Sequence, residues 1–216
     1  MTNGDQIQLY AQSSTSTLTT VNAKIQVGDR EIATWEVRTG TGPDSDASFT
    51  APTSRTGLAP FQYYSSSAVQ VRGTGYTNSR ITISSGYSIN AWNHFVLTRE
   101  TDGTQATQKV YLNGVEMDSR TYNITANFNI LNFGLHSSIY YTGEMDEIST
   151  HAAGLSASDV SAIYNSGSPT DLTGLYNITG WWRMGDDSTG TTVNDVVGSN
   201  DLTAINGVNL TSTNIP

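Results

Sequence analysis

The residues best able to do chemistry stand in one run, Glu144-Met145-Asp146-Glu147. Apolar and polar residues alternate through it, so it reads as a β-strand, with Glu144 and Asp146 on one face and Glu147 on the other. A pair of carboxyl groups about 5 Å apart would suit retaining glycoside hydrolysis, one as nucleophile and one as general acid. The next positions on the Glu144/Asp146 face are Ile148 and Thr150, and Ser149 is no acid either. That face therefore carries no third carboxylate, and Asp146 and Glu147 are expected to make structural hydrogen bonds or salt bridges.

Two other kinds of side chain could carry function. Asp44 with Asp46 and Asp186 with Asp187 could offer oxygen ligands to calcium, as could Asp195 with Asp201. No run has the spacing of an EF-hand loop, and isolated Asp pairs more often cap turns. Tyr63, Tyr64, Tyr140 and Tyr141 could act as platforms for sugar rings, with Tyr140-Tyr141 immediately before the acidic strand. Ordinary strand packing would use the same residues. Trp35, Trp92, Trp181 and Trp182 read as core. His94 opens a strand, where a structural imidazole is expected, and no Ser or Cys nucleophile motif accompanies it.

The elements that would position these groups are legible nearby. Trp92 to Asp118 reads as a meander: Phe95 and Leu97 share one face, Val110 and Leu112 share the matching one, and Val115 and Met117 resume the alternation. Asn113-Gly114 has the residue types of a tight hairpin turn, because both positions tolerate positive φ. The pattern predicts Phe95, Leu97, Val110 and Leu112 toward the core and the turn at the solvent edge. Further strands are expected at Gln6 to Ala11, Lys24 to Val27, Arg30 to Arg38, Phe61 to Tyr64, Ala68 to Arg72 and Arg80 to Ser84. Gly40 to Pro60 reads as a long loop. One helix is expected over Ala157 to Asn165. Ser156 and Asp159 form its capping box, Leu155 and Val160 a hydrophobic staple, Val160, Ile163 and Tyr164 its buried stripe, and Gly167 its left-handed cap.

Composition narrows the class. The chain has 216 residues, 20 Gly, 13% charged residues, no cysteine and a formal net charge of −9. Such a chain favours strands joined by turns and can build one sandwich core. The acidity disfavours nucleic acid and anionic membranes, and no Lys/Arg cluster offsets it. Disulfides and thiolate metal sites are excluded, and His94, His136 and His151 lie at no zinc spacing. The polar start MTNGDQIQLYAQ does not read as a signal peptide, and no apolar run could span a membrane.

An ordered set of motifs carries a family resemblance: IATW, WNHFVLTRE, KVYLNG, FNILNFG, GEMDEIS, LSASDVSAIYNSGSP and GWWRMGD. Together they resemble laminin-G-like, concanavalin A-like lectin/glucanase domains, and the run from the acidic strand to WWRMGD is similar to jelly-roll modules of tailed-phage virion proteins. The resemblance implies an all-β jelly-roll sandwich of two antiparallel sheets with one short helix at its end. It spans residues 18–186, preceded by an arm or edge strand over 1–17 and followed by a tail over 187–216. GWWRMGD either closes the sandwich or rests on it as an appendage; closure is favoured, because two adjacent tryptophans are costly to leave in water. Glycosidases of this fold use an E-x-D-x-x-E or E-x-D-x-E strand, which this chain lacks. The expectation is a non-enzymatic virion-surface module, in a capsid decoration, tail or fibre, that meets neighbouring virion proteins and cell-surface glycans. It would act through multivalent display or a homo-oligomer, without cofactor other than calcium. A secreted lectin-like adhesion domain and a glycoside hydrolase are the alternatives.

Overall fold

The computed structural model describes residues 7–8, 31–37, 50–51, 62–65, 68–71, 81–88, 91–123, 132–133, 135–136, 139–140, 144–204, 210 and 216. Its centre is a six-stranded antiparallel sheet in the order Ile178–Trp182, Glu144–His151, Glu31–Val37, Trp92–Thr101, Gln105–Leu112, Val115–Asn123. Gln62–Ser65, Ala68–Val71 and Ile81–Ile83 form a second antiparallel sheet. Thr50–Ala51 is a short strand within the stretch expected as a long loop, and it pairs with Asn132–Phe133. Ile7–Gln8 runs parallel to Leu202–Thr203, the one parallel pairing among the described residues. The strand expected at Lys24 to Val27 lies outside them.

The meander folds in the expected register, with Phe95 opposite Leu112 and Leu97 opposite Val110, all buried. Asn113 at φ 51° and Gly114 at φ 79° make the turn. Three expectations change. Strand Trp92–Thr101 is buried on both faces: His94, Val96 and Thr98 are covered as well as Phe95 and Leu97. The cause is the helix, which lies against the sheet's face instead of its end and joins Val96, Tyr111 and Trp181 to Leu155, Val160, Ile163 and Leu172 in one apolar cluster. The turn is half-buried rather than at the solvent edge, because Gly114 sits against the Tyr164 ring. Val115 and Met117 are exposed, since the register shifts between Val110 and Tyr111 and Met117 falls at the bulge.

The helix spans Ala157–Tyr164 and starts as its sequence requires. The Asp159 N–H donates to Ser156 Oγ at 3.2 Å, and the Ser156 N–H donates to Asp159 Oδ2 at 2.9 Å. Its left-handed stop comes at Asn165 (φ 45°), before Gly167 (φ 98°), because a single 3-10 turn over Asn165–Gly167 intervenes. Strand Ile178–Trp182 adds to the edge of the acidic strand, Ile148 opposite Trp182 and Ser149 opposite Trp181. Trp181 and Trp182 are 4% and 0% exposed, and Met184 is half-buried.

Candidate functional site

The acidic strand is not a regular strand. Asp146 pairs with Trp35 and Ser149 with Ala33, so Glu147 and Ile148 together oppose one residue of the neighbouring strand. This is a β-bulge, and Glu147 occupies it at φ 50°, a conformation that a non-glycine residue holds only under constraint from its surroundings. Asp146 Oδ1 accepts the Glu147 N–H at 2.8 Å and so fastens the bulge locally. The sequence expectation of Glu147 on the face opposite Asp146 is therefore corrected. The extra residue breaks the period of two, and the Glu147 carboxylate reaches Trp181, on the face that the helix covers.

The tail strand supplies the partners of that carboxylate. Glu147 Oε2 accepts the Trp181 indole N–H at 2.7 Å, and Oε1 accepts from Arg183 Nε at 3.3 Å. The Arg183 guanidinium also donates to Asp186 at 2.5 Å and to Asp187 at 3.3 Å, and it lies 5.4 Å from the centre of the Trp181 ring. Burial pushes the Asp146 carboxyl up to about 7, helped by the adjacent Glu147 charge. Burial raises Glu147 too, against the opposing hydrogen bonds from Trp181 and Arg183. The structural reading of Asp146 and Glu147 thus holds, with the two groups acting on one another.

Beside this network opens a cleft of about 370 Å³, lined by Glu147, Trp181, Arg183 and Asp187 on one side and by Pro169, Thr170, Asp171 and Thr173 on the other, with Val196 completing it. Loop 194–201 is bonded to the tail strand at Trp181, whose carbonyl accepts the Val196 N–H at 2.8 Å. Asp195 Oδ1 accepts the backbone N–H of Trp181, Val197 and Gly198, and Asp201 Oδ1 accepts that of Asp195. These two aspartates serve as turn caps.

Of the residues singled out for ligands, Tyr63 and Tyr64 lie in strand Gln62–Ser65 and Tyr140 in strand Ile139–Tyr140. Tyr141, Asp44 and Asp46 lie outside the described residues. Asp186 and Asp187 come together, but around a guanidinium, and a calcium ion at this pair would have to displace Arg183. Among the described residues no group of three or more His, Asp or Glu side chains is arranged to hold a metal. His94 is buried against Tyr164, ring centres 5.9 Å apart, and burial lowers its pKa to about 3. It has the structural character expected of it.

Two features escaped the sequence reading. Ser149 Oγ lies 3.0 Å from His151 Nε2, and His151 Nδ1 lies 3.0 Å or less from a carbonyl, that of Tyr176, at 2.9 Å. This has the form of a nucleophile with an oriented base, yet both residues are 0% exposed, so no substrate can approach the hydroxyl. The Glu147–Arg183 network was missed as well. A signal was present: Met145 and Ile148, the apolar residues of the strand, stand three positions apart, a spacing that a regular strand cannot place on one face.

No curated protein matches the sequence. Among solved structures, the chain is similar to a Bacteroides ovatus protein to which carbohydrate binding is ascribed, at 9% identity and a TM-score of 0.57 over 88% of this chain and 52% of that one. It thus spans about half the length of that protein. It is also similar to the heptameric SAP-like pentraxin of Limulus polyphemus, at 12% identity and a TM-score of 0.51 over 72% of this chain and 80% of that one. A third likeness is to the enzymatically active domain of tailspike protein 2 of bacteriophage CBA120, at 10% identity and a TM-score of 0.52 over 88% and 34% of the two chains. At such identities these likenesses show the fold, an antiparallel jelly-roll sandwich. The family model that matches residues 2–161 agrees with it, and the chain belongs to the concanavalin A-like lectin/glucanases superfamily.

Proposed function

We propose that this chain is a non-enzymatic carbohydrate-binding module, displayed in many copies on a virion surface. The observation that carries the choice of binding over catalysis is the engagement of Glu147. Both of its oxygens are taken, by the Trp181 indole and by Arg183, in a bulge that fixes the backbone. A carboxylate so held is a structural anchor and not a free nucleophile. Membership in a lectin/glucanase superfamily supplies the ligand class, and the ascription of carbohydrate binding to the Bacteroides ovatus protein agrees with it. The virion setting draws support from the tailspike domain of similar fold and from the low-charge, hydroxyl-rich composition. A shallow lectin site binds one sugar weakly, so adhesion would require copies held close together.

The test is a glycan array probed with monomeric and with particle-displayed protein, in calcium and in chelator, alongside a hydrolysis assay on the bound glycans. Binding that rises steeply with valency, with the glycans left intact, is the expected result. Array silence in both formats would remove the carbohydrate reading.

Glycoside hydrolysis has one observation in its favour. A carboxyl with a pKa of about 7, as at Asp146, is half-protonated at neutral pH, as a general acid should be. Hydrolysis that disappears in Asp146→Asn or Glu144→Gln would establish that alternative and displace the first.

A further inference from the structure

Resting on the carbohydrate-binding reading, we propose that the cleft between Pro169–Thr173 and Arg183–Asp187 is a saccharide subsite that accepts neutral and amino-bearing sugars and rejects carboxylated ones. Its size of about 370 Å³ suits one or two sugar rings and falls at the lower end of small-ligand sites. Its walls combine the surfaces that a pyranose needs. Pro169 and Val196 offer apolar area to C–H groups, and the Thr170 and Thr173 hydroxyls, whose protons go to the Ala162 and Ile163 carbonyls and to Asp171, keep lone pairs for sugar donors. The cleft, and not any one charged group, defines the site. Among the described residues, all of its lining except Glu147 lies beyond residue 161, where the match to the family model ends.

The balance of donors and acceptors selects the ligand. Among the described residues three carboxylates line the cleft, Glu147, Asp171 and Asp187, against one guanidinium. Arg183 is already engaged through Nε, Nη1 and Nη2 by Glu147, Asp187 and Asp186, so its charge is neutralised in place. Asp171 is exposed, and hydrogen bonds from Thr173 hold its carboxyl below the usual range, which keeps it ionised at neutral pH. With Glu147 and Asp187 held by Arg183, the acceptors left for a ligand are the Asp171 carboxylate and the threonine lone pairs. Sugar hydroxyls can donate to them, and an ammonium adds attraction. A uronate or sialate would bring a further carboxylate beside Asp171, and among the described residues the cleft's one guanidinium is already engaged.

The test uses the full chain and three matched probes: glucosamine, glucose and glucuronate oligosaccharides of equal length. Binding is followed by titration and by the indole N–H resonance of Trp181. The expected order is glucosamine, then glucose, with glucuronate not bound, and salt should erode the first advantage. Asp171→Asn with Thr173→Val should lower affinity for the glucosamine probe at least tenfold at an unchanged melting temperature, since both residues are exposed. Glucuronate binding as tightly as glucosamine would overturn the proposal. So would sugar binding that survives this double variant, leaves the Trp181 resonance unmoved and disappears in Tyr140→Ala/Tyr141→Ala; the binding-module reading would then stand with its site elsewhere. Failure of all three probes and of a wide glycan array would overturn both.

Discussion

Glu147 is the residue on which the site turns. It is 7% exposed and sits in a left-handed conformation, satisfying a buried indole N–H and half-buried guanidinium at once. Glu147→Ala should cost about 2–4 kcal/mol in chemical denaturation, because the Trp181 N–H would be left buried without an acceptor and Arg183 would lose an ion pair. Glu147→Gln keeps an acceptor for the indole and should cost roughly half as much. Its neighbour sets a pH dependence of definite sign. Asp146 has a folded pKa of about 7 against 3.8 for the free side chain, so the folded state holds the proton more tightly. Stability from this group is therefore fully present below about pH 4 and is lost as pH rises through about 7. A three-unit shift would be worth ~4 kcal/mol, and water at the partly exposed carboxyl reduces that to about 2 kcal/mol. Asp146→Asn should thus match the parent near pH 4 and exceed its stability by about 2 kcal/mol near pH 8, as read from urea unfolding at each pH.

At the scale of elements, the contact between hairpin and helix ties the sheet to its cover. A Cβ on Gly114 would fall 2.8 Å from Tyr164 Cδ1, at a φ of +79°. Gly103 has a similar φ of +91° but nothing within 4 Å. Both therefore share the backbone cost of an alanine, and the helix contact weighs on one alone. Gly103→Ala should lower stability by about 1 kcal/mol and Gly114→Ala by about 2–3 kcal/mol. Equal losses would mean that the turn is not pressed against the helix. The same contact explains why a strand that alternates in sequence is covered on both sides: the helix buries the His94, Val96 and Tyr111 face that the period-two pattern assigns to solvent.

For the whole molecule, the tail strand is the piece that holds the site together. It covers the edge of the acidic strand, carries Trp181 and Arg183 to Glu147, and is followed by the segment whose Leu202–Thr203 pairs with Ile7–Gln8. Burying each large aromatic contributes about 2–3 kcal/mol, so truncation after Thr173 removes about 5 kcal/mol from the two tryptophans alone. That is comparable to the entire stability of many domains, and the truncated chain should lose its cooperative thermal transition. An unchanged melting temperature would show instead that the tail is an appendage.

What the sequence determined by itself was local or ordered along the chain. The Asn113-Gly114 turn, the Ser156/Asp159 capping box and the pairing face of Phe95, Leu97, Val110 and Leu112 follow from residues a few positions apart, where φ preference, side-chain capping and alternation act. The ordered motifs carried the fold class for the same reason, since each marks one strand or turn. Only the tertiary structure decided the bulge at Glu147, which depends on register with Glu31–Val37, more than a hundred positions earlier. It also decided that Asp186 and Asp187 surround Arg183 and that Pro169–Thr173 faces Trp181 across a cleft. Periodicity says which face a residue takes only while the period lasts. One extra residue in the acidic strand redirects its carboxylate, and the partner that receives it is supplied by a strand whose place at the sheet edge is set by packing.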